Sequence, residues 1–182
     1  RVNLFLKQKK YLDQYKFINN IKVHSIKKIL KKIDWKTLSK GTPVNFHGDT
    51  APNNIIIQNS RKFNLIDWRE NFGSLLNYGD LYYDLSKMYH ALILPQLLDT
   101  GNYISIKSKK DNILFSFKSF NNLKLFKKNF EDFSLKNNLD LKKVKILSYL
   151  IFLNIAPLHE GKISDLFFLY GKVKLSGFIN EK

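Results

Sequence analysis

Residues 46–57 read FHGDTAPNNIII, and within them His47, Asp49 and Asn54 fall in the pattern H-x-D-x-x-x-x-N. A carboxylate and an amide oxygen held five residues apart in one short polar loop suit phosphoryl transfer. That reaction needs a carboxylate beside the attacking hydroxyl, to orient it and take its proton, and an oxygen ligand for Mg²⁺ close by. On this reading Asp49 is the base, Asn54 is a magnesium ligand, and His47 braces the loop through hydrogen bonds. Thirteen residues beyond Asn54 the run FNLID ends on Asp67, where a second carboxylate would hold the metal. A sparse, all-oxygen ligand set suits Mg²⁺ better than Zn²⁺. With 4 His, 11 Asp and 19 Asn in the chain, the three-residue pattern arises by chance about 0.02 times. The competing reading makes Asp49 and Asn54 turn and capping residues, with Asp67 merely ending a strand.

The elements that must position these residues are legible on either side. Leu4, Leu6, Tyr11, Leu12, Tyr15 and Ile18 suit a first amphipathic helix, and Ile26, Ile29, Leu30 and Ile33 a second. Residues 44–46 form a short β-prone run before the polar loop 47–53. Residues 55–57 and 63–67 read as two strands about a turn at 59–62. After the Gly- and Asn-containing loop 69–79, Asp80 is a natural N-cap for a helix reaching about residue 94, just before Pro95. A second hairpin is expected from 103–106 and 113–117, then helices over 120–136, 141–155 and 164–175. A chain of 182 residues is expected to form one compact unit, with a helical segment over 1–43, a catalytic and metal-binding core over 44–94 and a helical, substrate-side part over 95–182.

The run FHGDTAPNNIII … FNLIDWRE … YGDLYYDLSK resembles the aminoglycoside phosphotransferase and choline/ethanolamine kinase superfamily. The resemblance spans about residues 44–90. It implies an α+β, protein-kinase-like C-terminal lobe, mostly helical, with a small catalytic β-hairpin. It implies Asp49 as catalytic base and Asn54 and Asp67 as ligands of Mg²⁺ bound with ATP. Gly79-Asp80-Leu81-Tyr82-Tyr83-Asp84-Leu85-Ser86 resembles a later motif of that family, with Ser86 in place of the usual Ala. There Asp80 and Asp84 would be structural, capping a helix and anchoring the catalytic loop. The family's N-terminal lobe, with its phosphate-covering loop and lysine, has no counterpart here. The chain opens on Arg1 in a helix-like pattern, so it reads as a C-terminal portion expected to be inactive in isolation. Thr50–Asn53 also lacks the aromatic or His more usual in this loop.

Composition narrows the partners. The net charge is +16, which invites a nucleic-acid reading. Yet 28 of the 31 basic residues are Lys, with only Arg1, Arg61 and Arg69 able to make bidentate contacts. Abundant Lys and Asn with only 3 Ala is the signature of an AT-rich coding sequence, so nucleic acid is an unfavoured partner. The absence of cysteine excludes disulfides and thiolate metal sites and fits a reducing cytoplasm. No apolar run reaches membrane-spanning length.

For the acceptor, a small-molecule hydroxyl on choline or ethanolamine, an amino sugar or an aminoglycoside is expected. Aromatic residues Trp68, Phe72, Tyr78, Tyr82, Tyr83 and Tyr89 could hold a quaternary ammonium over their faces, with Glu70 or Glu160 as the nearby carboxylate. Tyr82 and Tyr89, seven apart on one helix face, are more ordinary as core. The rival functions are a catalytically silent kinase-like binding module and a basic nucleic-acid-binding domain.

Overall fold

The computed structural model describes residues 7, 10–59, 61–94 and 103–180. In chain order its elements are α1 (Lys10–Asp13), β1 (Phe17–Ile18), β2 (Ile21–Lys22), α2 (Ile26–Lys32), α3 (Trp35–Leu38), β3 (Pro43–Val44), β4 (Ile55–Gln58), β5 (Lys62–Leu65), β6 (Gly79–Asp80), α4 (Leu81–Ile93), β7 (Ile104–Lys109), β8 (Asn112–Phe117), α5 (Asn121–Lys136), α6 (Leu141–Ile155) and α7 (Gly161–Asn180). The class is α+β. No helix among the described residues is long and apolar enough to cross a membrane. Where length alone leads to one compact unit, the chain divides into two. One takes Arg1–Asp34, Gln96–Ser119 and Tyr149–Lys182; the other takes Trp35–Pro95 and Phe120–Ser148.

In the first unit the expected opening helix is cut short. Its first residues, Leu4 and Leu6, lie outside the described residues, and α1 ends at Asp13, so Tyr15 and Ile18 are not helical. The cause is local. Asn19 and Asn20 adopt positive φ of 49° and 65°, the backbone of a tight hairpin turn that Asn tolerates, and this pairs β1 with β2. Asn19 also clamps β8, its amide donating to Phe115 O and its side-chain oxygen accepting from Phe115 N. The sheet order is β2-β1-β8-β7, with β1 parallel to β8 and β7–β8 an antiparallel hairpin. Helix α7 packs against α2 and β7. It runs three residues earlier and five later than the periodicity over 164–175 indicates, because it is apolar on nearly every side and has no strong stop signal. Ile163, Leu166, Phe168, Leu169 and Leu175 are all buried on it.

Lys172 is the buried charge on that helix. Its side chain is fully buried, and its Nζ meets Asp13 Oδ1 at 3.1 Å and the carbonyl oxygens of Leu12, Asp13 and Tyr15 at 3.4, 2.7 and 3.5 Å. The ammonium thereby satisfies the open carbonyl end of α1.

In the second unit α4 packs on α5. Asp80 caps α4 as expected, its Oδ1 accepting from Tyr82 N at 3.1 Å and also from Thr42 N at 3.0 Å. That second bond ties the cap to the chain leading into β3, which pairs with β6. Helices α5 and α6 match the expected spans to within a residue. Ser86 Oγ donates to Val144 O and Ser148 Oγ to Ser86 O, so small hydroxyl residues allow α4 and the first half of α6 to approach closely. Hairpin β4–β5 forms where expected, pairing Ile55 opposite Leu65 through Gln58 opposite Lys62, but β5 takes in Lys62 from the expected turn and ends at Leu65, two residues short of Asp67.

Candidate functional site

The loop leaving β3 descends through Phe46, buried against Gly79. A Cβ on Gly79 would come within 2.3 Å of the Phe46 ring, so only glycine allows β6 to lie there. Beyond Phe46 the chain turns at Gly48, with φ of 82°, and is caught by Asp84 on α4. The Asp84 carboxylate accepts from His47 N at 2.8 Å and from Gly48 N at 2.7 Å, and the Thr50 hydroxyl donates to Asp84 O. His47 is buried, and its Nδ1 accepts from Asp49 N at 3.2 Å. It therefore does brace the loop, through its ring as well as its backbone. Its Nε2 is buried without a hydrogen-bond partner, and its ring lies 4.7 Å from that of Trp68.

Replacing Asp84 by Ala strands the N–H groups of two buried residues at once. At roughly 1–3 kcal/mol for each orphaned buried donor, the variant is expected to lose about 3 kcal/mol. This is read as a lower urea midpoint at unchanged slope.

Asn54 links the loop to the hairpin. Its side chain is buried, with Nδ2 donating to Asp49 O at 2.8 Å. Its backbone oxygen accepts from Ile66 N at 3.0 Å, one step beyond the β4–β5 ladder. The residue after Ile66 is Asp67, exposed and held at φ of 60°. Two residues on, Arg69 N donates to His47 O at 2.8 Å, so the stretch 66–69 runs alongside the loop that carries Asp49.

Asn54 and Asp67 are the residues of this loop and strand end that could contribute oxygen ligands to a metal. The Asn54 amide is turned so that its nitrogen serves the loop, while Oδ1 accepts from Asn53 Nδ2 at 3.2 Å and keeps one lone pair that could face a metal. No group of three or more His, Cys, Asp or Glu able to hold a metal exists among the described residues. Mg²⁺ does not require one, because it is held by one or two carboxylates plus phosphates and water.

Two cations that the spacing argument missed lie on Asp49. Lys87 Nζ is 2.7 Å from Oδ1 and Arg69 Nη2 is 3.2 Å from Oδ2. Burial pushes the Asp49 carboxyl up, but hydrogen bonding and charge from Lys87 and then Arg69 outweigh it and hold the group below the ordinary carboxylate value. Lys87 stands three residues after Asp84, one helical turn along α4, so its side shares the face that Asp84 turns to the loop. Arg69 could have been singled out as one of three Arg in a Lys-rich chain.

The remaining candidates divide. Trp68 is half-exposed beside His47, its Nε1 donating to Leu65 O, and Glu70 is exposed. Glu160 belongs to the other unit, on the exposed turn before α7. The aromatic residues do not assemble a cage. Phe72 packs edge-on against Phe46 and Tyr83, Lys143 sits over the Tyr82 ring, and buried Tyr89 donates to Glu131. Asp49, His47, Asn54 and Asp84 thus form one connected cluster with Lys87 and Arg69, which Asp67 adjoins only through the backbone of 66–69, while Asp80 caps α4 apart from it. Comparison with protein-family models, curated proteins and solved structures gives no match for this chain.

Proposed function

We propose that the protein is a kinase-like phosphotransferase that moves the γ-phosphoryl group of Mg-ATP to a hydroxyl of a small molecule. The observation that carries this reading is the double role of Asn54. Through its side chain it is tied to Asp49, and through its backbone to the strand end that delivers Asp67. A base and two oxygen ligands are thus linked through one buried residue, as phosphoryl transfer requires.

In this mechanism the acceptor oxygen bonds to the γ-phosphorus as the bond from that phosphorus to the β–γ bridging oxygen breaks. ADP leaves with the electron pair, and the hydroxyl proton passes to a carboxylate oxygen of Asp49. Lys87 keeps that carboxylate ionised and oriented. Asn54 and Asp67 would hold Mg²⁺, which supplies neutralising charge on the phosphate oxygens. Asp84, His47 and Gly48 fix the loop in advance of binding, so little ordering remains to be done when substrates arrive.

Mn²⁺ binding, followed by water-proton relaxation with ATP present, tests the metal assignment separately from turnover. Asp67→Ala is expected to weaken Mn²⁺ binding about tenfold or more, with the fold unchanged because Asp67 is exposed. An unchanged Mn²⁺ affinity would remove Asp67 from the metal site. The reaction itself is tested on the full-length protein, by transfer from γ-labelled ATP across a panel of hydroxyl acceptors.

A further inference from the structure

Arg69 is built into the loop from behind and open in front. Its backbone N–H is held by His47 O, and its stem lies over Gly48, where an added Cβ would come within 2.6 Å of Arg69 Cβ and 2.5 Å of Cγ. The chain turns through glycine at this point and leaves space for the arginine stem. The side chain remains 59% exposed, against 16% for Lys87. Its contact with Asp49 is made through Nη2, which leaves guanidinium donors for a second oxygen anion.

We propose that the hydroxyl acceptor of this site is itself an anion, carrying a carboxylate or phosphate near the hydroxyl, and that Arg69 binds that group. The proposal rests on the phosphotransferase reading and narrows it. Each Asp49 oxygen already meets one cation and keeps one lone pair, so a hydroxyl arriving from solvent competes with whichever cation lies on the open side. Arg69 is the more exposed partner and so the one to turn aside. An acceptor anion gives its guanidinium a new partner at the moment Asp49 is released, while Lys87 stays in place.

The surrounding charges favour the same choice. Asp84 serves the loop, Asp80 and Asp140 accept from backbone N–H groups at the starts of α4 and α6, and Glu131 pairs with Tyr89 and Lys145. Glu70 is exposed and takes no part in the contacts described at Asp49. A cationic acceptor such as choline would meet like charges beside the base and no aromatic cage, whereas a +16 chain attracts anions.

The chain's three Arg make the test direct, because few Nε–Hε signals appear in ¹⁵N NMR and Arg69→Gln identifies the one that matters. The probes are D-glycerate, glycerol and choline, with Mg-ATP in a separate titration. D-Glycerate is expected to shift the Arg69 signal saturably, at concentrations at least tenfold below any shift from glycerol or choline. Asp49→Asn removes the competing carboxylate and is expected to strengthen D-glycerate binding by about two- to fivefold, the scale of a surface ion pair.

A shift with Mg-ATP but none with D-glycerate assigns Arg69 to the donor phosphates and overturns the proposal, as does equal binding of glycerol. Transfer to choline with Arg69 unmoved also overturns it while leaving the phosphotransferase reading intact. D-Glycerate binding of the expected kind, with no transfer from ATP to any acceptor by the full-length protein, supports the anion seat at Arg69 and defeats the phosphotransferase reading.

Discussion

In the full-length protein, Asp49→Ala is expected to lower phosphoryl transfer by a factor of about 10²–10⁴, the usual contribution of a positioned general base, while leaving the melting temperature nearly unchanged. The two effects separate because of what the carboxylate touches. Its oxygens meet only the side chains of Lys87 and Arg69 among the contacts described. The loop's backbone is held by other groups: Asp84 on His47 N and Gly48 N, His47 Nδ1 on Asp49 N, and Asn54 Nδ2 on Asp49 O. Each of those survives removal of the Asp49 side chain. Lys87 keeps enough exposure, at 16%, for water to solvate the ammonium left behind. Transfer rate and thermal unfolding, measured on the same preparation, check this. Full activity in the Ala variant would remove Asp49 as the base, and a large loss of stability would make its role structural.

Lys172→Ala is expected to have the largest effect on stability, about 3–5 kcal/mol, the cost of breaking a buried ion pair from one side. The substitution strips Asp13 of its cation, leaves three carbonyl oxygens without a donor, and opens a cavity where the lysine stem packed. Lys172→Met retains the stem and should cost less. Urea denaturation of the two variants divides the loss between packing and charge.

The pair also has a pH signature. Burial pushes the Lys172 ammonium below its ordinary value of 10.5, and Asp13 only partly opposes this. As pH rises between the lowered folded value and 10.5, the folded state releases its proton before the unfolded state does. Unfolding then binds protons, so stability rises with pH across that window. The advantage of the native protein over Lys172→Met should therefore grow toward pH 10.5. Burial raises the Tyr170 hydroxyl, which costs stability above pH 10, but this residue is common to both proteins and cancels in the difference.

Much of the fold was legible because it is written in local terms. The β4–β5 hairpin follows from two β-branched and apolar runs about a polar turn. The start of α4 follows from Asp80, whose short acceptor satisfies an orphan N–H whatever surrounds it. The spans of α5 and α6 follow from periodicity and from the Asn and Asp residues between them. Local signals also failed where a stronger one was overlooked. The apolar residues from Leu4 to Ile18 suit a helix, but Asn19-Asn20 demands a turn, and the turn draws Phe17 and Ile18 into the sheet. For α7, near-complete burial erased the amphipathic contrast that would have marked its ends.

By itself, the sequence determined which residues could do chemistry and their order: His47, Asp49 and Asn54 on one loop, Asp67 at a strand end, and Asp80 and Asp84 opening a helix. Hydrogen-bonding type and spacing are properties of the chain and need no partner to be read. Only the tertiary structure decided what each meets. Asp84 reaches His47 N and Gly48 N across 37 and 36 residues, and Lys87 and Arg69 close on Asp49 from a helix and a loop that the sequence does not register against each other. Lys172 on α7 becomes the cap of α1 across more than 150 residues. Such pairings depend on how packed elements present charges in low dielectric, where a few ångströms separate a strong contact from none.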